Sequence, residues 1–271
     1  NPSYVMGAPL AASGTSALLG AGNVMVVEAD ESDGSFLQYP TQIAVITNVE
    51  ADHLDNWGSP QHYGQGFAEF AQGDSVEAVV INVDDPQARA LAERLIDESG
   101  HPRRVVTYGE AVDAEVRIVD PVQVGTSSHA QLVIGDHAYA LRLQVPGRHN
   151  LANAAAAFAV GWLLDLPADA LLRGAASFTG TLRRFQLVAV IESPEGPIRI
   201  YDDYAHHPTE IRAALRAARR AAAGGRLVAC FQPHLYSRTR EFADQFGQAL
   251  ALADVVVVTD VYAAREDPLP G

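Results

Sequence analysis

The stretch Ile43-Ala44-Val45-Ile46-Thr47-Asn48-Val49-Glu50-Ala51-Asp52-His53 decides the fold. It opens on an apolar, mostly β-branched run of strand length and ends abruptly in two carboxylates and an imidazole. An apolar run without alternation suits a strand buried on both faces, as in a parallel sheet covered by helices. A helix signal follows at once. Ser59 suits the N-cap and Pro60 the first turn; Tyr63, Phe67 and Phe70 share one face, and Gly73 ends it. The alternation then repeats. Residues 78–83 read as a strand, Asp85 and Pro86 open a helix closed by Gly100, and 105–108 read as the next strand. Upstream, residues 24–27 form a β-branched run ending in Glu28, read as the first strand of the series.

Downstream the period changes. Residues 115–119, 130–134 and 138–145 alternate apolar and polar side chains, with Gly135-Asp136 as a two-residue turn, so a small antiparallel sheet is expected beside the parallel one. Residues 150–164 read as a long Ala-rich helix and 167–173 as a shorter one, with Pro167 in its first turn and Gly174 at its end. Residues 180–184 read as a linker. A hairpin at 187–191 and 198–202, a helix at 208–222, a strand at 227–231, a helix carrying Phe242, Phe246 and Leu250, and a strand at 255–259 complete the pattern. The fold class is therefore α/β. The second part holds a βαβ unit whose sheet is small for independent stability, and it is read as incomplete.

Composition narrows the function. The 271 residues carry 33 acidic against 19 basic side chains, a formal net charge of −14. That field argues against nucleic-acid binding or an anionic membrane surface, though a few local arginines suffice for a small anion. Every one of the 19 basic residues is Arg, so no Walker A lysine or Schiff base is possible in this chain. One cysteine, Cys230, permits no internal disulfide and points to a reducing, cytoplasmic setting. No apolar run is long enough to span a membrane, and no signal peptide is visible. The first residue is Asn1, not Met, which suggests an internal piece of a longer protein.

Chemistry-bearing residues collect just beyond strand ends, where open α/β sheets bind ligands. Glu28 follows one strand, and Asp52 and His53 another. Asp202, Asp203, Tyr204, His206 and His207 follow a third; Gln232, His234, Arg238 and Arg240 a fourth; Asp260 and Tyr262 the last. Glu28 suits Mg²⁺, whereas imidazole, as in His53, suits Zn²⁺ better. The run Asp30-Glu31-Ser32-Asp33 reads as an acidic loop, and Gly20-Ala21-Gly22 as a turn. Asn150 is either an N-cap or an amide for a purine edge. Arg183-Arg184 is either a solvated pair or a phosphate clamp, and the forks of Arg238 and Arg240 suit carboxylate or phosphate.

Five ordered motifs resemble the Mur ligases, most closely the alanine-adding branch of that family. They are Glu28-Ala29-Asp30-Glu31-Ser32-Asp33-Gly34-Ser35-Phe36-Leu37 with Ile46-Thr47-Asn48-Val49-Glu50-Ala51-Asp52-His53-Leu54-Asp55; Gly147-Arg148-His149-Asn150-Leu151-Ala152-Asn153-Ala154; Asp202-Asp203-Tyr204-Ala205-His206-His207-Pro208-Thr209-Glu210; Phe231-Gln232-Pro233-His234-Leu235-Tyr236-Ser237-Arg238-Thr239-Arg240; and Asp260-Val261-Tyr262-Ala263-Ala264-Arg265-Glu266. The resemblance implies a central ATPase-type parallel sheet over residues 1–182 and a truncated, Rossmann-like C-terminal domain over 183–271. It implies an ATP-dependent ligase of peptidoglycan synthesis joining L-alanine to UDP-N-acetylmuramic acid through an acyl phosphate. By the same resemblance Glu28 and His53 would hold Mg²⁺, and His149, Asn150, Asn153 and Asp203 would lie on the nucleotide side. Arg184 would reach the phosphates, and His206, His207, His234, Arg238 and Arg240 would serve the alanine carboxylate and the acceptor. The family's N-terminal UDP-binding domain and its phosphate-binding Lys-Thr loop are missing from this sequence, so the chain alone is expected to be inactive. Two other readings stand beside this one: a metal-dependent phosphohydrolase using Glu28, Asp52, His53, His206 and His207, and a fragment that binds nucleotide without chemistry.

Overall fold

The computed structural model describes residues 2–97, 103–264, 266 and 267. Gly100 and Arg265, named above, lie outside them. A short sheet comes first: β1 (Ser3–Val5) lies between β2 (Ala17–Leu18), antiparallel, and β3 (Met25–Val27), parallel. The strand expected at 24–27 therefore exists but pairs with β1, outside the main sheet. With three residues exposed along its length, it carries no two-sided burial that would mark it as a sheet interior.

Among the described residues the main sheet has six strands in sequential order. These are β4 (Ile43–Ile46), β5 (Ala78–Asn82), β6 (Arg104–Gly109), β7 (Val116–Val124), β8 (Ser127–Ile134) and β9 (His137–Leu143). Pairing is parallel from β4 to β7 and antiparallel from β7 to β9, with an irregularity between Val119 and Val122. The change follows the change in sequence period: continuous apolar runs pair in parallel under helices, and alternating runs form hairpins with one drier face. In β5, Val79 and Ile81 face α2 (Pro60–Ala71) and α3 (Pro86–Asp97), whereas Val80 belongs to the cluster beneath α4 (Arg148–Leu163); all three are fully buried.

Local signals explain the helix ends. The Ser59 hydroxyl accepts the His62 N–H at the start of α2, just after the single turn α1 (Leu54–Trp57). Helix α4 starts at Arg148, earlier than expected, because Gly147 (φ 101°) caps it, so Asn150 is not its cap. Helix α5 (Ala168–Ser177) runs through Gly174, which sits inside it, while Pro167 is the cap residue before it.

The C-terminal part has two small sheets: the antiparallel hairpin β10 (Gln186–Ile191) and β11 (Ile198–Asp202), and the parallel pair β12 (Val228–Phe231) and β13 (Val255–Val258). Helix α6 (Pro208–Ala221) follows β11. The single helix expected between β12 and β13 is split at Phe242 into α7 (Tyr236–Glu241) and α8 (Ala243–Leu250). Among the described residues no helix is long and apolar enough to cross a membrane.

Two core substitutions should separate packing from polarity. Leu132 is fully buried among Val116, Ile118, Leu141 and Leu151, so Leu132→Ala should lose about 2–5 kcal/mol by urea unfolding. The Tyr108 hydroxyl is buried and has no hydrogen-bond partner among the described residues, so Tyr108→Phe should be neutral or stabilising, within about 1 kcal/mol.

Candidate functional site

The loop after β4 is the centre of the site. Asp52 directs both carboxylate oxygens at Arg238 on α7: Nη2 reaches each at 3.0 Å and Nε reaches Oδ1 at 3.4 Å. The Arg238 side chain is only 5% exposed. Burial works to raise the Asp52 pKa, but Arg238 and the His53 N–H outweigh it and hold the carboxyl below its ordinary value. Two residues earlier, Glu50 accepts the Thr209 hydroxyl at 2.6 Å and lies 3.9 Å from His207 Nδ1. The loop thus meets the starts of both α6 and α7.

A line of rings extends from Arg238. Its Nη1 lies 3.3 Å from His234 Nδ1; His234 packs against Tyr262 and His206, and His206 against Tyr204. Arg183 covers the Tyr204 ring at 4.5 Å. Glu210 ties this line to the linker. Its Oε2 accepts the backbone N–H groups of His206 and His207 at 2.9 and 3.2 Å, and its Oε1 accepts Arg184 at 3.3 Å. His207 and Glu210 form a capping box at the start of α6. Burial works against the charged form of Glu210, but these donors and the His206 and Arg184 charges hold its pKa below the ordinary value.

On the α4 side, burial, countered by Asp203 and seconded by Arg184, lowers the His149 pKa, with Glu210 a further neighbour. Asp203 accepts the N–H groups of Phe185 and Ala205, both at 2.8 Å, yet burial prevails and raises its pKa. His149, Arg184 and Asp203, picked out separately in the sequence, therefore share one corner. Asn150 is close by in the chain, but its Nδ2 donates to the Pro146 carbonyl at 2.7 Å. Asn153 and Arg240 are exposed.

Glu28 stands apart. Its carboxylate accepts the Gly7 N–H at 2.6 Å, and no hydrogen bond or ion pair joins it to His53 among the described residues. His53 Nε2 lies 3.7 Å from Asp52 Oδ2. Among the described residues no group of three or more His, Cys, Asp or Glu is arranged to hold a metal ion. One carboxylate and one imidazole are too few donors to build a Mg²⁺ site, whose shell is otherwise filled by phosphate oxygens and water. The phosphohydrolase reading needed a clustered donor set, and Asp52 is committed to Arg238 instead.

Glu31, Glu50, Tyr63 and Glu210 appear in the sequence motifs but were not among the candidate site residues. Tyr63 donates to Glu31 at 3.3 Å, and burial together with the nearby carboxylates Glu31, Asp52 and Glu50 raises its pKa strongly. The available signal for Glu210 was its place three residues after His207, the spacing of a capping box. An open groove of about 1150 Å³ between α2 and α3 ends at Glu50 and Thr209, and none of the candidates named from the sequence lines it.

The His149 shift fixes a pH dependence. The unfolded chain protonates this imidazole at a higher pH than the folded chain, so folding stability should fall as pH drops below about 6.5. Thermal midpoints between pH 7.5 and 5.5 should fall in the parent chain and fall less in His149→Gln.

The chain matches the family model "Mur ligase middle domain" over residues 17–161 and "Mur ligase, glutamate ligase domain" over residues 183–270. It is 61% identical to the UDP-N-acetylmuramate–L-alanine ligase of Cutibacterium acnes, over 100% of this chain and 56% of that protein. Its identity to the ligase of the same name in Paenarthrobacter aurescens is 47%, over 100% of this chain and 58% of that protein. The chain thus spans little more than half the length of the curated relatives it matches. The crystal structure of UDP-N-acetylmuramate-alanine ligase MurC from Thermotoga maritima superposes with a TM-score of 0.77 at 30% identity, covering 96% of this chain and 55% of that one. With a middle-domain match over more than half its length, followed in order by the C-terminal domain, this chain belongs to the Mur ligase family.

Proposed function

We propose that the chain is the middle and C-terminal part of an ATP-dependent ligase that joins L-alanine to UDP-N-acetylmuramic acid, with a domain boundary at 182/183. The observation that carries this reading is that two groups of residues far apart in sequence are linked through Glu210, which bonds Arg184 on one side and the His206 and His207 N–H groups on the other. His149 from α4 meets Arg184 and Asp203, and the loop at 50–53 meets Thr209, His207 and Arg238. The alanine-adding ligases with which the chain shares up to 61% identity support the choice of amino acid.

The chemistry is the transfer of the γ-phosphoryl group to the muramoyl carboxylate, followed by attack of the alanine amine on the acyl phosphate and release of phosphate. Both steps bring anions together, so the task of the protein is to place cations and dipoles where charge accumulates. In this reading Arg184, held against Glu210, turns toward the phosphates, and His149, Asn150 and Asn153 form the nucleotide side of α4. Asp203, whose raised pKa reflects its burial, orients the linker through the Phe185 and Ala205 N–H groups. His206 and His234 border the acceptor region, and exposed Arg240 offers a fork to the alanine carboxylate. Mg²⁺ bound with ATP would neutralise phosphate charge, with Glu28 and His53 as the chain's donors toward it. The setting is the cytoplasm, where ATP is available.

A chimaera that supplies the remaining sequence of the Cutibacterium acnes relative tests this reading. It should release phosphate from ATP only when UDP-N-acetylmuramic acid and L-alanine are both present. Arg184→Ala in that chimaera should lower kcat/KM about 10²–10³-fold. Phosphate release independent of L-alanine, or preference for another amino acid, would overturn it.

A further inference from the structure

Arg238 was expected to bind a substrate carboxylate, yet its fork is already filled from within the chain. Nη2 donates to both oxygens of Asp52, Nε leans on Oδ1, and Nη1 faces His234 Nδ1. With 5% of its side chain exposed, it presents almost no surface to a ligand. The residue immediately after Asp52 is in an unusual state. His53 adopts a left-handed backbone, φ 53° and ψ 36°, which non-glycine residues seldom occupy unless their surroundings hold them there. Asp52 Oδ1 supplies one such restraint, since it accepts the His53 N–H at 2.8 Å. The same oxygen therefore receives Arg238 from the C-terminal part and the backbone of His53 from the loop after β4.

We propose that Arg238 is a positioning residue: by fixing the Asp52 carboxylate it holds His53 in its left-handed conformation, so that docking of α7 sets the direction of the His53 ring. The geometry selects arginine for this role. A guanidinium reaches both oxygens at once and fixes the plane of the carboxylate, whereas a lysine ammonium fixes only a distance. His53 is the N-cap residue of α1 and makes no side-chain cap hydrogen bond among the described residues, so the first turn has no competing anchor of that kind. Another contact between the two parts, Glu50 with Thr209, lies on the same loop but makes no hydrogen bond to His53 among the described residues, which provides a control. Any part for His53 in phosphoryl transfer rests on the ligase reading; its coupling to Arg238 does not.

The test uses this chain without substrates, so its outcome is independent of turnover. Amide hydrogen exchange and the ring carbon–proton resonance of His53 are followed by NMR at one fixed pH, with the amides of Val80 and Leu132 reporting the core. Arg238→Gln and Asp52→Asn should each speed exchange at His53 about tenfold or more and shift its ring resonance, with the two core amides unchanged. Arg238→Lys should give a smaller effect of the same sign, and Thr209→Val should leave His53 as in the parent. Unaltered His53 signals in Arg238→Gln would overturn the proposal, as would an equal response in Thr209→Val, which would assign the effect to docking in general. If Arg238→Gln unfolds the core, Arg238→Lys decides: a parent-like His53 there overturns the proposal, and a shifted one supports it.

Discussion

Arg238 gives up nearly all contact with water to reach Asp52, and a guanidinium in that position must keep its carboxylate. Removing either partner alone leaves a charge that is desolvated and unpaired, at a cost of about 3–5 kcal/mol, whereas an apolar pair of equal volume could stabilise the contact as well or better. The value of the bridge is thus directional. Nη2 donates to both oxygens while Nε leans on Oδ1, which fixes the plane of the carboxylate, and the carboxylate fixes the turn into α1. Glu50, two residues before, is then in place to accept Thr209. The loop after β4 meets the C-terminal part through hydrogen bonds and charge, with the apolar cores lying behind it on either side.

Most of this arrangement follows from features visible in the chain, although unevenly. Burial on both faces requires continuous apolar residues, and Val79, Val80 and Ile81 of β5 meet that requirement without exposure; the run at 43–49 also forms a parallel strand, but at the sheet edge, where Val45 is exposed. The switch to hairpins was equally legible in the alternation of 115–145. Residues 24–27 misled in one respect: their β-branched character predicts a strand but not its partner, and pairing with β1 depends on Ser3–Val5, too short to carry a pattern. Gly174 misled because a glycine ends a helix only where a left-handed residue is needed, and α5 instead continues to Ser177. Residue types pointed to candidates at the strand ends, but their pairing between the loop after β4 and the starts of α6 and α7 was out of reach. Nothing in the spacing of Asp52 and Arg238, 186 residues apart, distinguishes an internal partner from a substrate ligand.

The C-terminal part makes the reliance on polar contacts intelligible. Its buried cluster is small, centred on Ile211, Ala229, Phe231, Phe246, Ala249 and Leu250, and Val255, Val256, Val257 and Val258 all remain exposed. With so little apolar surface spent against the main sheet, its placement depends on discrete bonds: Arg238 to Asp52, Thr209 to Glu50, and Gln123 Nε2 to the Ala217 carbonyl at 3.0 Å. Contacts of this kind can be exchanged for water at modest net cost, because each hydrogen bond lost within the protein is replaced by one to solvent. The linker is built for the same purpose. Arg183 and Phe185 both have positive φ, 59° and 49°, and are held there by the Gln186 side chain and by Asp203. Two non-glycine residues in sparsely populated conformations on either side of Arg184 store strain at the junction.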